Sequence, residues 1–195
     1  WVSYAPQIEL AGGTAVAVPT SPNDGWAVTE EALEAKVTPA SRVILINSPN
    51  NPTGHVMNRA ELEAIASVAR RHDLLVWTDE MYEKIIYDGN EHISIATLDG
   101  MRDRTLTFNG LSKAYAMTGW RLGYVAGPKP LIAKMSTVHS HAVTCATSFA
   151  QAGGVAALEG PQDAIVDMVQ AWDRRRLLMS DGISAIKGLS LPLPE

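Results

Sequence analysis

The sequence predicts an α/β protein, three α/β/α layers around a mostly parallel sheet, followed by a helical C-terminal third. Three observations carry that prediction. Short apolar runs rich in β-branched residues alternate with amphipathic stretches, the pattern of buried strands joined by helices. Three of those runs end in loops that hold polar groups, and in open α/β sheets ligands sit beyond the carboxyl ends of the strands. From Pro130 onward the strand pattern stops and helical stretches follow one another, so the sheet belongs to the first two thirds.

Five runs read as strands: Thr14–Val18, Arg42–Ile46, Leu74–Thr78, Thr105–Phe108 and Leu122–Ala126. A short helix is expected over Glu30–Lys36, with Thr29 as its cap and Glu30 and Glu31 in the positive first turn. The spacing predicts a longer helix over Arg59–Arg71. Asn58 and Glu61 have the separation of a capping box, and Leu62, Ile65, Ala66 and Ala69 line one face. Helices are further expected over Pro130–Ser140, Thr147–Glu159 and Gln162–Ile186. Residues 1–186 read as the core of one domain, and 187–195 as the start of a second. The chain opens on Trp1 and closes in the loop-like Leu191–Glu195, so the reading expects a fragment whose parent is longer.

Composition narrows the function classes. With 195 residues, 46% hydrophobic and 19% charged, the chain can bury a sizeable core without metals or disulfides. A net charge of −5 lacks the basic footprint of a nucleic-acid partner. No apolar run approaches the ~20 residues that span a bilayer. Cys145 is the single cysteine, which excludes an internal disulfide and points to a reducing, cytoplasmic setting. The five histidines lack metal-ligand spacing, no dinucleotide-type glycine loop is present, and no metal is expected.

The chemistry collects at three strand ends. Arg42–Ile46 runs into NSPNNPTG (47–54), Leu74–Thr78 into DEMY (79–82), and Thr105–Phe108 into NGLSK (109–113). Topology alone thus delivers an amide, a carboxylate with a phenol, and an amine to one edge. Each has an ordinary reading by itself. Asp79 reads as a helix N-cap, Asn51–Gly54 as a turn, Tyr82 and Trp1 as packing, Lys113 as a solvated lysine, and Arg121 as an ion-pair partner. Together they suit a cofactor that carries both an aldehyde and a phosphate: a lysine for covalent attachment, an arginine fork for the anion, and a poorly solvated carboxylate for a ring cation.

NSPNNPTG, DEMY and NGLSKAYAMTGWRLGY, in this order and spacing, resemble the class I/II aminotransferases, pyridoxal-phosphate enzymes of the aspartate aminotransferase fold type. The resemblance spans nearly the whole chain and is closest to the bacterial aspartate/aromatic branch. It implies that Lys113 forms the Schiff base with pyridoxal 5'-phosphate and moves the substrate proton. It implies that Asp79 holds the pyridinium, Asn51 and Tyr82 bond the ring oxygen, Arg121 binds the phosphate, and Trp1 stacks on the ring. Asn51–Pro52 matches a peptide bond that is cis in the family. Many members carry a phosphate-binding serine three residues before the lysine; here that residue is Gly110, and Ser112 stands in.

The resemblance further implies amino acid and 2-oxo acid substrates and a homodimer. The phosphate-cup loop is expected upstream of Trp1, and the substrate-carboxylate arginine beyond Glu195. Two alternatives share the scaffold: a C–S β-lyase or related fold-type-I enzyme, and the aminotransferase-like sensor domain of a transcription regulator.

Overall fold

A computed structural model describes all 195 residues. Its centre is a four-stranded sheet in the order β1 (Val43–Asn47), β2 (Leu75–Asp79), β3 (Thr105–Gly110) and β4 (Gly123–Ala126). The first three strands are parallel and β4 is antiparallel to β3, so the predicted mostly parallel sheet is present. Helices α1 (Tyr4–Leu10) and α2 (Glu30–Glu34) precede it, α3 (Arg59–Arg71) joins β1 to β2, and α4 (Lys129–Ala142), α5 (Ser148–Glu159) and α6 (Asp163–Ser184) follow it.

Helix α3 forms where its local signals place it. Asn58 Oδ1 accepts the Glu61 N–H (3.1 Å) and Glu61 Oε2 accepts the Asn58 N–H (2.9 Å), which completes the capping box. Leu62, Ile65, Ala66 and Ala69 are buried in one cluster with Ile46 and Val76 of the sheet and with Ile95, Leu98 and Met101. The last three come from the long β2–β3 connection, which carries 3₁₀ turns at Ile95–Thr97 and Arg102–Arg104 in place of an α-helix. Thr29 caps α2 by accepting the Ala32 N–H.

The second face is covered more thinly. Trp77 and Phe108 meet edge to face at 6.0 Å. Helix α5 reaches the loop between β3 and β4 through Gly153 and Gly154. A Cβ on Gly154 would lie 2.5 Å from Leu122 Cδ2 and 3.1 Å from Leu111 Cδ1, so any larger residue there must push these leucine side chains aside. By contrast α4 buries no residue and α6 buries only Ile165 and Arg176.

One expected strand is absent. Thr14–Val18 runs outside the sheet, and none of its backbone groups makes a backbone hydrogen bond. Its apolar residues instead line a cavity of about 590 Å³ beside Val43–Asn47. A β-branched run becomes a strand only when a neighbour's ladder accepts it, and β1 has no partner on that side. Helix α1 is not among the expected elements; its Pro6 sits in the first turn, where a missing N–H costs nothing. No helix is long and apolar enough to cross a membrane.

Candidate cofactor site

The site is built from the carboxyl ends of β1, β2 and β3. The register aligns Asn47 with Asp79 and Asp79 with Phe108, so the three loops leave the sheet side by side. Buried Asn47 ties the first two together: its Nδ2 donates to the Asp79 carbonyl (3.0 Å), and its Oδ1 accepts the Asn51 N–H (2.8 Å). The peptide bonds Ser48–Pro49 and Asn51–Pro52 are both cis. The second agrees with the expectation for this loop.

Asn51 Nδ2 lies 3.5 Å from the Tyr82 hydroxyl, so the amide and the phenol from two strand ends converge on one spot. Lys113 Nζ stands 5.8 Å from the centroid of the Tyr82 ring. That half-buried amine makes no hydrogen bond and no ion pair, and nothing in the chain competes for it. Beside it opens a cavity of about 480 Å³ walled by Tyr82, Ile85, Tyr87, Ser112, Thr118 and Trp172.

Asp79 ends β2, where strand alternation turns it away from the α3 side. Its Oδ1 accepts the Met81 N–H (3.1 Å) and its Oδ2 accepts the Tyr4 hydroxyl (2.7 Å). A carboxylate offers about four acceptor positions, so capacity remains for a cationic donor. Burial first, then the hydrogen bond to Asp79 and that carboxylate's charge, push the Tyr4 hydroxyl well above the ordinary tyrosine range, so Tyr4 remains a donor. Trp1 packs edge to face on Tyr4 at 5.4 Å, and its backbone nitrogen lies 3.1 Å from the Asn51 carbonyl oxygen.

Ser112, Lys113 and Arg121 all lie on the loop that β3 and β4 close through the Gly110–Gly123 pair. Thr118 Oγ1 donates to the Ser112 carbonyl and Arg121 Nη1 donates to the Thr118 carbonyl, each at 2.9 Å. Arg121 adopts a left-handed backbone (φ 52°) and its side chain is exposed. The structure thus links Trp1, Asn51, Asp79, Tyr82 and Lys113 in one chain of contacts, while Arg121 and Ser112 share the adjoining loop. Tyr4 and Asn47 went unnoticed in the sequence. Asn47 carried a signal, a polar residue closing an apolar strand; Tyr4 carried none, since its partner is 75 residues away.

The donor set fits an aldehyde-bearing, phosphorylated ring cation. An unpaired amine can bind an aldehyde, a carboxylate with spare acceptor positions can face a ring cation, an amide–phenol pair can hold a ring oxygen, and a guanidinium can hold a phosphate.

Comparison with known proteins agrees. The family model described as aminotransferase class I and II matches residues 1–195. The chain is 45% identical over 195 residues to an aspartate aminotransferase of Musicola paradisiaca, covering all of this chain and 49% of that protein. It is 45% identical over 181 residues to aromatic-amino-acid aminotransferase 2 of Thermococcus litoralis, covering 92% of this chain and 46% of that one. The solved aspartate aminotransferase of Rhizobium meliloti superposes with a TM-score of 0.97 at 42% identity, covering 100% of this chain and 49% of its own. An aromatic aminotransferase of Pyrococcus horikoshii gives 0.96 at 44%, covering 100% and 52%. The chain spans about half the length of the curated relatives it matches. With the whole chain inside the family's model and its strand ends carrying that donor set, the chain belongs to the class I and II aminotransferases.

Proposed function

We propose that residues 1–186 form the cofactor-holding core of a pyridoxal-phosphate-dependent aminotransferase, with 187–195 leading into a second domain. The observation that carries this reading is the unpaired Lys113 amine facing Tyr82, whose hydroxyl meets Asn51 from another strand end. When bound, pyridoxal 5'-phosphate supplies an aldehyde that captures amines and a ring that takes up electrons.

In this reading Lys113 Nζ would hold the cofactor covalently, and the same amine would carry the substrate α-proton. Asp79 keeps a protonated ring nitrogen charged, and Tyr4 keeps Asp79 aimed. Asn51 and Tyr82 hold the ring oxygen, Trp1 packs on the ring, and Arg121 and Ser112 bind the phosphate. Amino acid and 2-oxo acid substrates alternate at this one site, and the working unit is a cytoplasmic homodimer. The aspartate and aromatic names of the relatives support substrates of that class.

The test uses the full-length protein. Titrated with pyridoxal phosphate, it should develop the absorbance band of the lysine–cofactor linkage and convert an amino donor with a 2-oxo acid acceptor. Lys113→Ala should abolish both. A Lys113→Ala protein that keeps the band and the turnover would refute the proposal.

A further inference from the structure

We propose that Glu80 is a positioning residue for this site, its buried carboxylate pinning the turn that presents Asp79 and Tyr82. The inference rests on the functional reading above. Strand alternation sends neighbouring residues to opposite faces. Val76 and Thr78 are buried on the α3 side and Glu80 continues that row, while Trp77 and Asp79 face the other way. Two consecutive carboxylates therefore part: Asp79 toward the site, Glu80 into the core, where its side chain is 3% exposed.

A carboxylate is a poor filler for a core position unless donors surround it. Glu80 has three. Its Oε1 accepts the Thr78 hydroxyl (3.1 Å) and the Ser94 hydroxyl (2.7 Å), and its Oε2 lies 2.9 Å from His92 Nε2. The first bond returns to β2 itself, and the other two reach the far connection to β3. Glu83 adds a second carboxylate, its oxygen within 4.8 Å of the Glu80 and His92 ligand atoms. The backbone is fixed at the same place: Glu80 N–H donates to Phe108 (2.9 Å), Glu83 N–H to the Glu80 carbonyl (3.0 Å), and Ile85 N–H to the Tyr82 carbonyl (2.8 Å).

A leucine would fill this space with fewer demands. It would not fix a rotation, whereas three directional bonds to two separate segments do. Any rotation of the backbone at residue 80 swings Asp79 on one side and Tyr82 on the other. Glu80 touches no part of the proposed cofactor's donor set, so it acts through those two residues.

The experiment compares Glu80→Leu, Glu80→Gln, Ser94→Ala and Leu33→Ala in full-length protein titrated with pyridoxal phosphate. It measures the dissociation constant, the pH midpoint of the cofactor band, and the unfolding temperature of the cofactor-free protein. Glu80→Leu should raise the dissociation constant about tenfold or more. It should also move the midpoint by about half a pH unit or more, since the Tyr82 hydrogen bond helps set it. Ser94→Ala should move both readouts in the same direction by less, and it serves if Glu80→Leu does not fold. Glu80→Gln, which keeps the shape and part of the bonding, should restore both. Leu33→Ala, in the core beneath α2, should lower the unfolding temperature and leave both readouts unchanged. A wild-type dissociation constant and midpoint in Glu80→Leu, or in Ser94→Ala where the former is unfolded, would overturn the proposal alone. Absence of the band in the wild type would overturn it together with the functional reading.

Discussion

Replacing Glu61 with alanine tests how the chain holds the segment behind its candidate site. Glu61 is 5% exposed. Its Oε1 accepts the Val28 N–H (3.0 Å), its Oε2 accepts the Asn58 N–H (2.9 Å), and His55 Nε2 lies 2.9 Å from Oε1. His55 in turn sits 2.9 Å from the Glu195 carboxylate through Nδ1. Removing the acceptor leaves two N–H groups unmatched, at about 1–3 kcal/mol each, and deletes a charge-assisted bond of about 1.5–3 kcal/mol. Such losses do not add in full, and breaking a buried pair costs about 3–5 kcal/mol in all. At 2–4 °C per kcal/mol for a unit of this size, Glu61→Ala should lower the unfolding temperature by about 10 °C.

The pH dependence carries a second signature. The hydrogen bond to Glu61, opposed by burial and aided by Glu195, raises the His55 pKa above its ordinary 6.5. That stabilisation is complete below 6.5 and fades as pH climbs through the raised value. Burial works against the charge of Glu61, but the His55, Asn58 and Val28 hydrogen bonds outweigh it and hold the carboxyl below its ordinary 4.5. Its contribution is complete above 4.5 and is lost as pH falls through the lowered value. Thermal unfolding followed by circular dichroism across this range should show the alkaline decline in the wild type and a smaller one in Glu61→Ala, where only Glu195 still faces His55. A variant within about 1 kcal/mol of wild type, or one whose alkaline decline is undiminished, would refute the reasoning.

Two further substitutions probe the packing. Leu33→Ala removes a side chain that is 5% exposed in the core cluster and should cost about 2–5 kcal/mol, read from urea unfolding. Gly154→Val places a Cβ 2.5 Å from Leu122 Cδ2 and 3.1 Å from Leu111 Cδ1. Overpacking there should cost about 1–3 kcal/mol by the same measurement and, because residues 111–122 carry Lys113 and Arg121, should also weaken pyridoxal phosphate binding.

Much of this protein was written in local signals. The bounds of α3 and its Asn58–Glu61 capping box follow from groups three residues apart, and the apolar runs of β1, β2 and β3 follow from burial alone. Since ligand loops leave the carboxyl ends of such strands, the sequence alone assigns Asn51, Asp79 and Lys113 to one edge.

Tertiary structure decided what depends on distant partners. Thr14–Val18 has the composition of a strand but receives no ladder. Tyr4 became the donor to Asp79 across 75 residues. Glu61, legible as a cap, also grips Val28 and His55. DEMY named the carboxylate and the phenol, yet only the packed sheet sent Glu80 beneath them onto Thr78, Ser94 and His92. The physical reason is range: periodicity and capping act within one or two turns of chain, whereas a buried polar group is settled by whichever donors folding brings to it.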